Sequence, residues 1–282
     1  MALQIGSMTL ESVVGGVFGL DGGAMFGVVP RPLWARKLPP DEGHRVPLVA
    51  RCLLIRQGDR KVLVDAGLGQ RWSDREREMF AIQPEVDLIE NLEALGVAPE
   101  EITNVIITHL HWDHAGGLVL EEEGAPPRLA FPNATHHVQR RNWKWGHSPT
   151  ERDLRSYRAE DMAPLEESGQ LHFVEGATEL LPGVELLPTE GHTVGQQLVK
   201  VSDGETTLLF CGDIIPTSAH LPTAWGMAYD LYPLTVIEEK KQILAQALEE
   251  GWILFFEHDP KIAACRLSEE GGKVRIAETF DF

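Results

Sequence analysis

Short apolar runs bounded by turn residues alternate with stretches of helical periodicity along the chain. The segment from Cys52 to Gly67 predicts a hairpin: a strand, a Gly-Asp turn, and a buried strand that ends at Asp65. The segment from Gln197 to Asp213 has the same pattern with an Asp-Gly turn. After each hairpin, a further apolar strand delivers a histidine, His109 in the first half and His258 in the second.

This weak repeat predicts two similar β-rich halves, and hence two sheets packed face to face with helices outside. The polar ends of the strands are then expected to converge on a shared edge. Hairpins with Asp-Gly turns are common, so two unrelated hairpins remain the alternative.

Two stretches of the chain carry apolar residues at helical spacing. The stretch 85–95 predicts one helix. A second helix is predicted from about Val236 to Glu250, with Thr235 and Glu238 as a capping box at its start.

Composition narrows the class of partner. The 282 residues, 43% of them hydrophobic, suit one large two-layered domain or two small ones. The formal net charge of −18 repels phosphate backbones, so a neutral small molecule is a better partner than nucleic acid. A basic N-terminal region, a long apolar run and a CxxC pair are all missing. We therefore expect a cytoplasmic protein without membrane contact or disulfides.

The segment from Thr108 to Gly117 holds four potential metal ligands within six residues. His109 and His111 lie at the end of a predicted strand, where alternation points both to the same side, and Asp113 and His114 follow in the next turn. Such a cluster is costly to hold together without a cation. Imidazole and carboxylate donors suit zinc, manganese, iron or cobalt, and the lack of thiolates argues against a structural zinc site.

Three further candidates lie at predicted strand ends. His192 emerges into a turn flanked by glycines, Asp213 ends one apolar strand and His258 ends another. Each residue alone has an ordinary turn as its alternative explanation. Together with the histidine-rich segment they form a ligand set.

The motifs HLHWDHAGG, GHTVGQ, CGD and FFEHDP, in this order, resemble the successive metal motifs of the metallo-β-lactamase superfamily. The resemblance implies an α+β fold, an αββα sandwich, in a single domain over residues 1–282, with an N-terminal arm of residues 1–50 near the active-site cleft. It assigns His109, His111 and His192 to a first metal. It assigns Asp113, His114 and His258 to a second metal, Asp213 as a bridge, and Asp65 to the orientation of a ligand histidine.

Two departures from other members of that superfamily narrow the activity. Common zinc β-lactamases have a cysteine ligand where Asp213 stands, and Cys211 lies two residues too early to replace it. Antibiotic hydrolysis is therefore not expected. Flavin-linked di-iron members carry glutamate where His111 stands, which argues against a redox role.

A pair of divalent cations predicts hydrolysis of an ester-like bond. Two such ions lower the pKa of a shared water towards ~7, polarise a carbonyl and stabilise a leaving alkoxide. Asp113 or Asp213 is then expected to carry the proton between the attacking and leaving oxygens. Zinc is the first choice of metal, with iron, manganese and cobalt as alternatives.

The substrate is suggested by the apolar segment 21–34. This segment is either an arm packed in the core or a loop over the cleft, with Met25 and Phe26 in a substrate pocket. Together with the segments 131–134, 213–217 and 228–230, it resembles the quorum-quenching lactonases, which open N-acyl homoserine lactones. Those enzymes carry a tyrosine where Pro216 stands, so His220 or Tyr229 is the candidate for its hydrogen bond.

Two other functions stay open at the level of sequence. A hydrolase with the same metal chemistry would act on phosphotriesters, aryl esters or thioesters. A non-catalytic metal-binding protein is the alternative from another class, and the resemblance leaves a homodimer open.

Overall fold

Fourteen strands form two seven-stranded sheets, and two short strands pair separately, in a computed structural model that describes residues 2–121 and 124–282. In chain order the strands are β1 (Leu3–Ile5), β2 (Met8–Asp21), β3 (Arg45–Gln57), β4 (Arg60–Val64), β5 (Asn104–Ile106), β6 (Val119–Leu120), β7 (Arg128–Leu129), β8 (Thr135–Gln139), β9 (Leu171–Val174), β10 (Thr178–Leu181), β11 (Val184–Thr189), β12 (Gln196–Ser202), β13 (Thr207–Phe210), β14 (Ile253–Phe255), β15 (Ala264–Glu270) and β16 (Lys273–Phe280). The helices are α1 (Gly22–Phe26), α2 (Arg31–Trp34), α3 (Asp74–Met79), α4 (Leu88–Ala94), α5 (Trp112–Ala115), α6 (Arg140–Gly146), α7 (Ala159–Glu167) and α8 (Pro233–Glu250).

The two sheets repeat one arrangement of strands. The first sheet has the order β1-β2-β3-β4-β5-β8-β9, and the second runs from β10 to β16 in sequence. In the first sheet β3 and β4 form an antiparallel hairpin, and β5 lies parallel to β4. In the second, β12 and β13 form the hairpin and β14 lies parallel to β13. The expectation of mixed sheets is confirmed.

The layers follow from the alternation of apolar side chains along the strands. On β3, Leu53 and Ile55 face the core between the sheets, whereas Leu54 belongs to the outer cluster that contains Leu92 of α4. The second sheet is covered on its outer face in the same way by α8. Successive residues of a strand point to opposite faces, so each central strand is apolar on both sides. The fold is the predicted αββα sandwich.

Both predicted helices differ from the observed ones at their first residue. The helix predicted over 85–95 begins only at Leu88, because the Asp87 carboxylate caps the backbone there. Helix α8 begins at Pro233, whose missing N–H costs nothing in the first turn. Thr235 therefore lies inside the helix, and the capping box that it was predicted to form with Glu238 is wrong.

The N-terminal residues are part of the sandwich. Strand β2 pairs along β3 from Thr9 to Asp21, so much of the segment 1–50 belongs to the first sheet. Helix α1 then places Met25 and Phe26 in a buried apolar cluster beside Trp112. No helix within residues 2–121 and 124–282 combines the length and apolar character needed to cross a membrane.

Candidate metal centre

The candidate ligands lie where strands of both sheets end. Asp65 follows β4, and His109 and His111 come shortly after β5. In the second sheet, Asp213 and His258 follow the parallel strands β13 and β14 in the same way. The carboxyl ends of adjacent parallel strands meet at one edge of a sheet, so the repeat brings these side chains from the two halves together.

The predicted ligands form two buried groups. Within each group the ligand atoms lie within 4.8 Å of one another. The first group contains His109, His111, His192 and Asp213, and the second contains Asp113, His114 and His258. The structure therefore brings together all seven residues that the sequence singled out as ligands.

Asp213 lies between the two groups. Its Oδ2 is 3.1 Å from Nε2 of His192, and its Oδ1 is 3.1 Å from Nε2 of His258. One carboxylate oxygen thus faces each group. This is the geometry required of a ligand that bridges two ions.

Three of the histidines are oriented through the ring nitrogen that faces away from the centre. Nδ1 of His192 lies 3.0 Å from a carboxylate oxygen of Asp230. Nδ1 of His258 lies 2.8 Å from the Val49 carbonyl oxygen. Both oxygens can only accept a hydrogen bond, so each Nδ1 carries a proton and each Nε2 is the nitrogen that faces the centre.

His114 is oriented by Asp65 and lies against Glu257. Its Nδ1 lies 3.0 Å from Oδ2 of Asp65 and 2.9 Å from Oε2 of Glu257. Asp65 also accepts hydrogen bonds from the backbone N–H and hydroxyl of Thr108, which fixes the residue before His109. Asp65 therefore has the geometry of the orienting role proposed for it.

Several ring nitrogens of the centre face each other at distances that require a cation between them. Nε2 of His258 lies 3.2 Å from Nε2 of His114, and Nε2 of His192 lies 3.2 Å from Nδ1 of His111. Facing lone pairs repel unless a proton or a metal ion lies between them. The buried Oδ1 of Asp213 makes no well-aligned hydrogen bond although Nε2 of His258 lies 3.1 Å away, which fits two atoms that share a cation as ligands. Imidazole and carboxylate donors fit zinc, iron, manganese or cobalt.

The electrostatics of the centre favour positive charge. Burial opposes a charged imidazole, yet the Asp213 carboxylate raises the pKa of both His192 and His258 to about 9. Burial also opposes ionisation of Asp213, yet the facing histidines hold the pKa of its carboxyl well below the usual range. Burial, and then the neighbouring imidazoles, lower the pKa of His109 and His111 well below the usual value, which leaves both neutral and available as ligands.

Two carboxylates of the centre were not identified from the sequence. Glu257 lies between the strand end and His258, and burial raises the pKa of its carboxyl to about 8. An acidic residue inside the apolar run before His258 was the available signal. Asp230 lies in a loop distant from His192 in sequence, and no local pattern marks it.

A cavity of about 150 Å³ opens onto the centre. Its wall is mainly apolar, and the polar groups at its edge are Arg155, Ser156 and Tyr229. The residues of the centre that reach it are His111, Asp113, His192, Asp213 and His258. The apolar residues are Leu20, Met25, Leu48, Phe80, Trp112 and Met227.

Of the two residues predicted to contact substrate, only one lines the cavity. Met25 lines the cavity, as expected. Phe26 does not; its ring stacks on Trp34 at 5.4 Å and on His220 at 4.6 Å between centroids. Phe26 therefore supports the wall from behind.

Of the two candidates for the substrate hydrogen bond, His220 and Tyr229, only Tyr229 lines the cavity. Nδ1 of His220 lies 2.8 Å from the Thr217 hydroxyl and its Nε2 lies 2.8 Å from the Met25 carbonyl oxygen, so both ring nitrogens are engaged away from the cavity. This geometry removes His220 as a candidate catalytic residue. Tyr229 lines the cavity, and burial followed by the Asp113 carboxylate raises the pKa of its hydroxyl to about 12. Tyr229 therefore stays a protonated donor at neutral pH.

Comparisons with known proteins agree with this geometry. The family model of the metallo-beta-lactamase superfamily matches residues 45–258. An N-acyl homoserine lactonase of Bacillus sp is 28% identical over 232 residues, which are 77% of this chain and 84% of the relative. A crystal structure from Staphylococcus aureus, described as a probable metal-dependent hydrolase, is 30% identical, with a TM-score of 0.91 and 99% of both chains covered. The dizinc quorum-quenching lactonase AidC shares the fold at 18% identity, with a TM-score of 0.81 over 100% of this chain and 97% of that one.

Proposed function

This chain is a metallo-hydrolase of the metallo-β-lactamase superfamily, and we propose that it opens the lactone ring of N-acyl homoserine lactones or similar lactones. The observation that carries the proposal is the pair of histidine and carboxylate groups joined through Asp213 beneath a mainly apolar cavity. Such a cavity suits a neutral ring with an apolar substituent.

Each of the two buried groups of side chains would hold one metal ion. His109, His111 and His192 would hold one ion, and Asp213 would contact both. Asp113, His114 and His258 would hold the other. When bound, a pair of divalent ions supplies Lewis acidity and a water whose pKa is lowered towards ~7. Zinc is the first ion to test, because AidC is described as a dizinc enzyme.

The side chains around the centre would keep the ligand atoms in place. Asp230 holds the ring of His192, and Asp65 holds the ring of His114. Each of these carboxylates keeps a proton on Nδ1 and leaves Nε2 free as a ligand. Mutation of a partner of this kind typically lowers metal affinity or activity by about 10- to 100-fold.

The reaction needs one water and one proton transfer. The water oxygen joins the carbonyl carbon, the ring C–O bond breaks, and the ring oxygen leaves as an alcohol after it gains the proton that the water loses. Asp113 and Asp213 both line the cavity, so either carboxylate can carry that proton. The Tyr229 hydroxyl is the candidate donor to the lactone, in place of the tyrosine that Pro216 replaces.

The proposal is tested by proton release from N-hexanoyl homoserine lactone with the purified, zinc-loaded protein. We expect turnover that a chelator abolishes and that added zinc restores, and we expect none in His109→Ala. Exposed His172→Ala is the matched control and should turn over normally. Turnover of paraoxon or an aryl ester without turnover of any lactone would replace this proposal with the alternative substrate class. Two bound metals without any hydrolysis would favour a binding protein.

A further inference from the structure

Arg155 lines the cavity at the candidate metal centre, and the reaction proposed above does not use it. We propose that its guanidinium donates a hydrogen bond to the amide oxygen of an N-acyl substituent, and so selects acylamino lactones over plain alkyl lactones. This inference rests on the proposed lactonase function and names the substrate class within it.

The guanidinium of Arg155 has no partner in the described part of the chain. The residue is exposed and lines the cavity, and it is the one arginine or lysine among the described residues that do so. The chain has 43 acidic residues, yet none of those described forms an ion pair with Arg155. The five N–H donors of this guanidinium are left for a ligand.

The segment that carries Arg155 is anchored on both sides. Nη2 of Arg152 donates to the Asp230 carbonyl oxygen at 3.1 Å, which ties the segment to the loop that holds His192. The Tyr157 hydroxyl lies 2.7 Å from the Thr193 hydroxyl, next to the same histidine. Arg155 therefore projects from a fixed backbone between two anchors, which lowers the entropic cost of the proposed contact.

The size of the cavity decides which part of a substrate meets Arg155. A space of about 150 Å³ holds roughly one benzene-sized ring, so a lactone ring fills it and the substituent must leave through the mouth. Leu20, Phe80 and Tyr229 also line an adjoining groove of about 640 Å³, which offers room for an acyl chain. Arg155 lines the cavity but not the groove. The amide nitrogen is bonded directly to the lactone ring, so the amide lies beside the ring within reach of the cavity lining that includes Arg155, and only the acyl chain continues into the groove.

The test compares two lactones that differ in the amide. N-hexanoyl homoserine lactone carries it, and an α-hexyl-γ-butyrolactone carries an alkyl chain without it. We expect Arg155→Ala to lower kcat/KM for the acylamino lactone about tenfold, mainly through KM, because the lost hydrogen bond has a charged donor. The alkyl lactone should be unaffected. Arg155→Lys should retain part of the preference, since lysine keeps the charge but loses the planar fork.

Exposed Arg275→Ala, on β16, is the matched control and should behave as wild type with both lactones. An equal loss for both lactones in Arg155→Ala, or no loss for either, would overturn the assignment while the lactonase proposal stands. If the metal-loaded wild type opens neither lactone, the lactonase proposal fails and this inference fails with it.

Discussion

Asp230 and His192 form a buried pair in which Oδ1 of the aspartate lies 3.0 Å from Nδ1 of the histidine. The other oxygen of Asp230 accepts a hydrogen bond from the Met227 backbone N–H at 2.8 Å. Met227 lines the cavity, so one carboxylate connects the orientation of a proposed ligand to the wall of the substrate site.

Asp230→Asn is expected to weaken metal binding and catalysis together. The amide can present its N–H₂ to Nδ1, which favours the wrong tautomer and turns a proton towards the centre. We expect a loss of about 10- to 100-fold in metal affinity or kcat/KM. Metal titration and lactone kinetics measure the two effects. Asp59→Asn, in the exposed turn between β3 and β4, is the control, and equal behaviour of both variants would rule out the orienting role.

Tyr229→Phe should separate substrate contact from metal binding. The variant loses the phenolic donor at the cavity but no proposed ligand, so metal content should stay that of wild type. We expect kcat/KM on the lactone to fall about tenfold, the usual effect of one lost hydrogen bond to a developing charge. Tyr232→Phe, at a half-exposed neighbouring position, should be silent. Wild-type kinetics in Tyr229→Phe would remove this residue from the mechanism.

Lys240→Met should loosen the wall behind the cavity. Nζ of Lys240 is buried and donates to the carbonyl oxygens of His220 and Trp225, at 3.0 and 2.5 Å. The methionine leaves both carbonyls unsatisfied, so we expect a loss of about 3 kcal/mol in the free energy of unfolding, measured in urea. Its exposed neighbour provides the control Lys241→Met, which should cost far less. Equal stability of the two variants would contradict a stabilising role for the hydrogen bonds of Lys240.

His136→Phe should change how stability depends on pH. Burial lowers the pKa of His136 from 6.5 to about 4. The folded-state pKa lies below the unfolded value, so the unfolded chain takes up the proton first as the pH falls. The contribution of His136 is therefore lost between pH 6.5 and pH 4, by about 1.4 kcal/mol for each pH unit.

Urea unfolding of the chelator-treated protein at pH 7 and pH 5 measures this difference. The free energy of unfolding of His136→Phe should rise relative to wild type as the pH is lowered. Exposed His44→Phe serves as the control and should show no such divergence. A difference between His136→Phe and wild type that stays constant with pH would contradict a buried, neutral His136.

The histidine-rich half of the candidate ligand set could be predicted from the sequence because its information is local, whereas His192, Asp213 and His258 were candidates only as polar residues at strand ends. The spacing of His109, His111 and His114 after an apolar strand determines where their side chains go once the strand forms. The two-sheet fold could be predicted for the same reason, because each repeated hairpin pattern indicates one of the two sheets.

The supporting groups could not be predicted because they depend on contacts between distant segments. Asp230 reaches His192 only after the loop before α8 has folded over the centre. Packing also decides which of His220 and Tyr229 can reach the substrate. His220 is engaged by Thr217 and Met25, and no spacing in the sequence reveals that contact.

The division of the proposed ligands between the two sheets has a consequence for how the protein would acquire metal ions. His109 and His111 come from the first half of the chain, whereas His192 and Asp213 come from the second. His258, from the second half, likewise completes the group that begins with Asp113 and His114. A nascent chain with one sheet formed therefore offers each ion an incomplete coordination shell. With the ligands assigned as proposed, tight metallation would wait until both sheets have docked, and metal uptake would report completed folding.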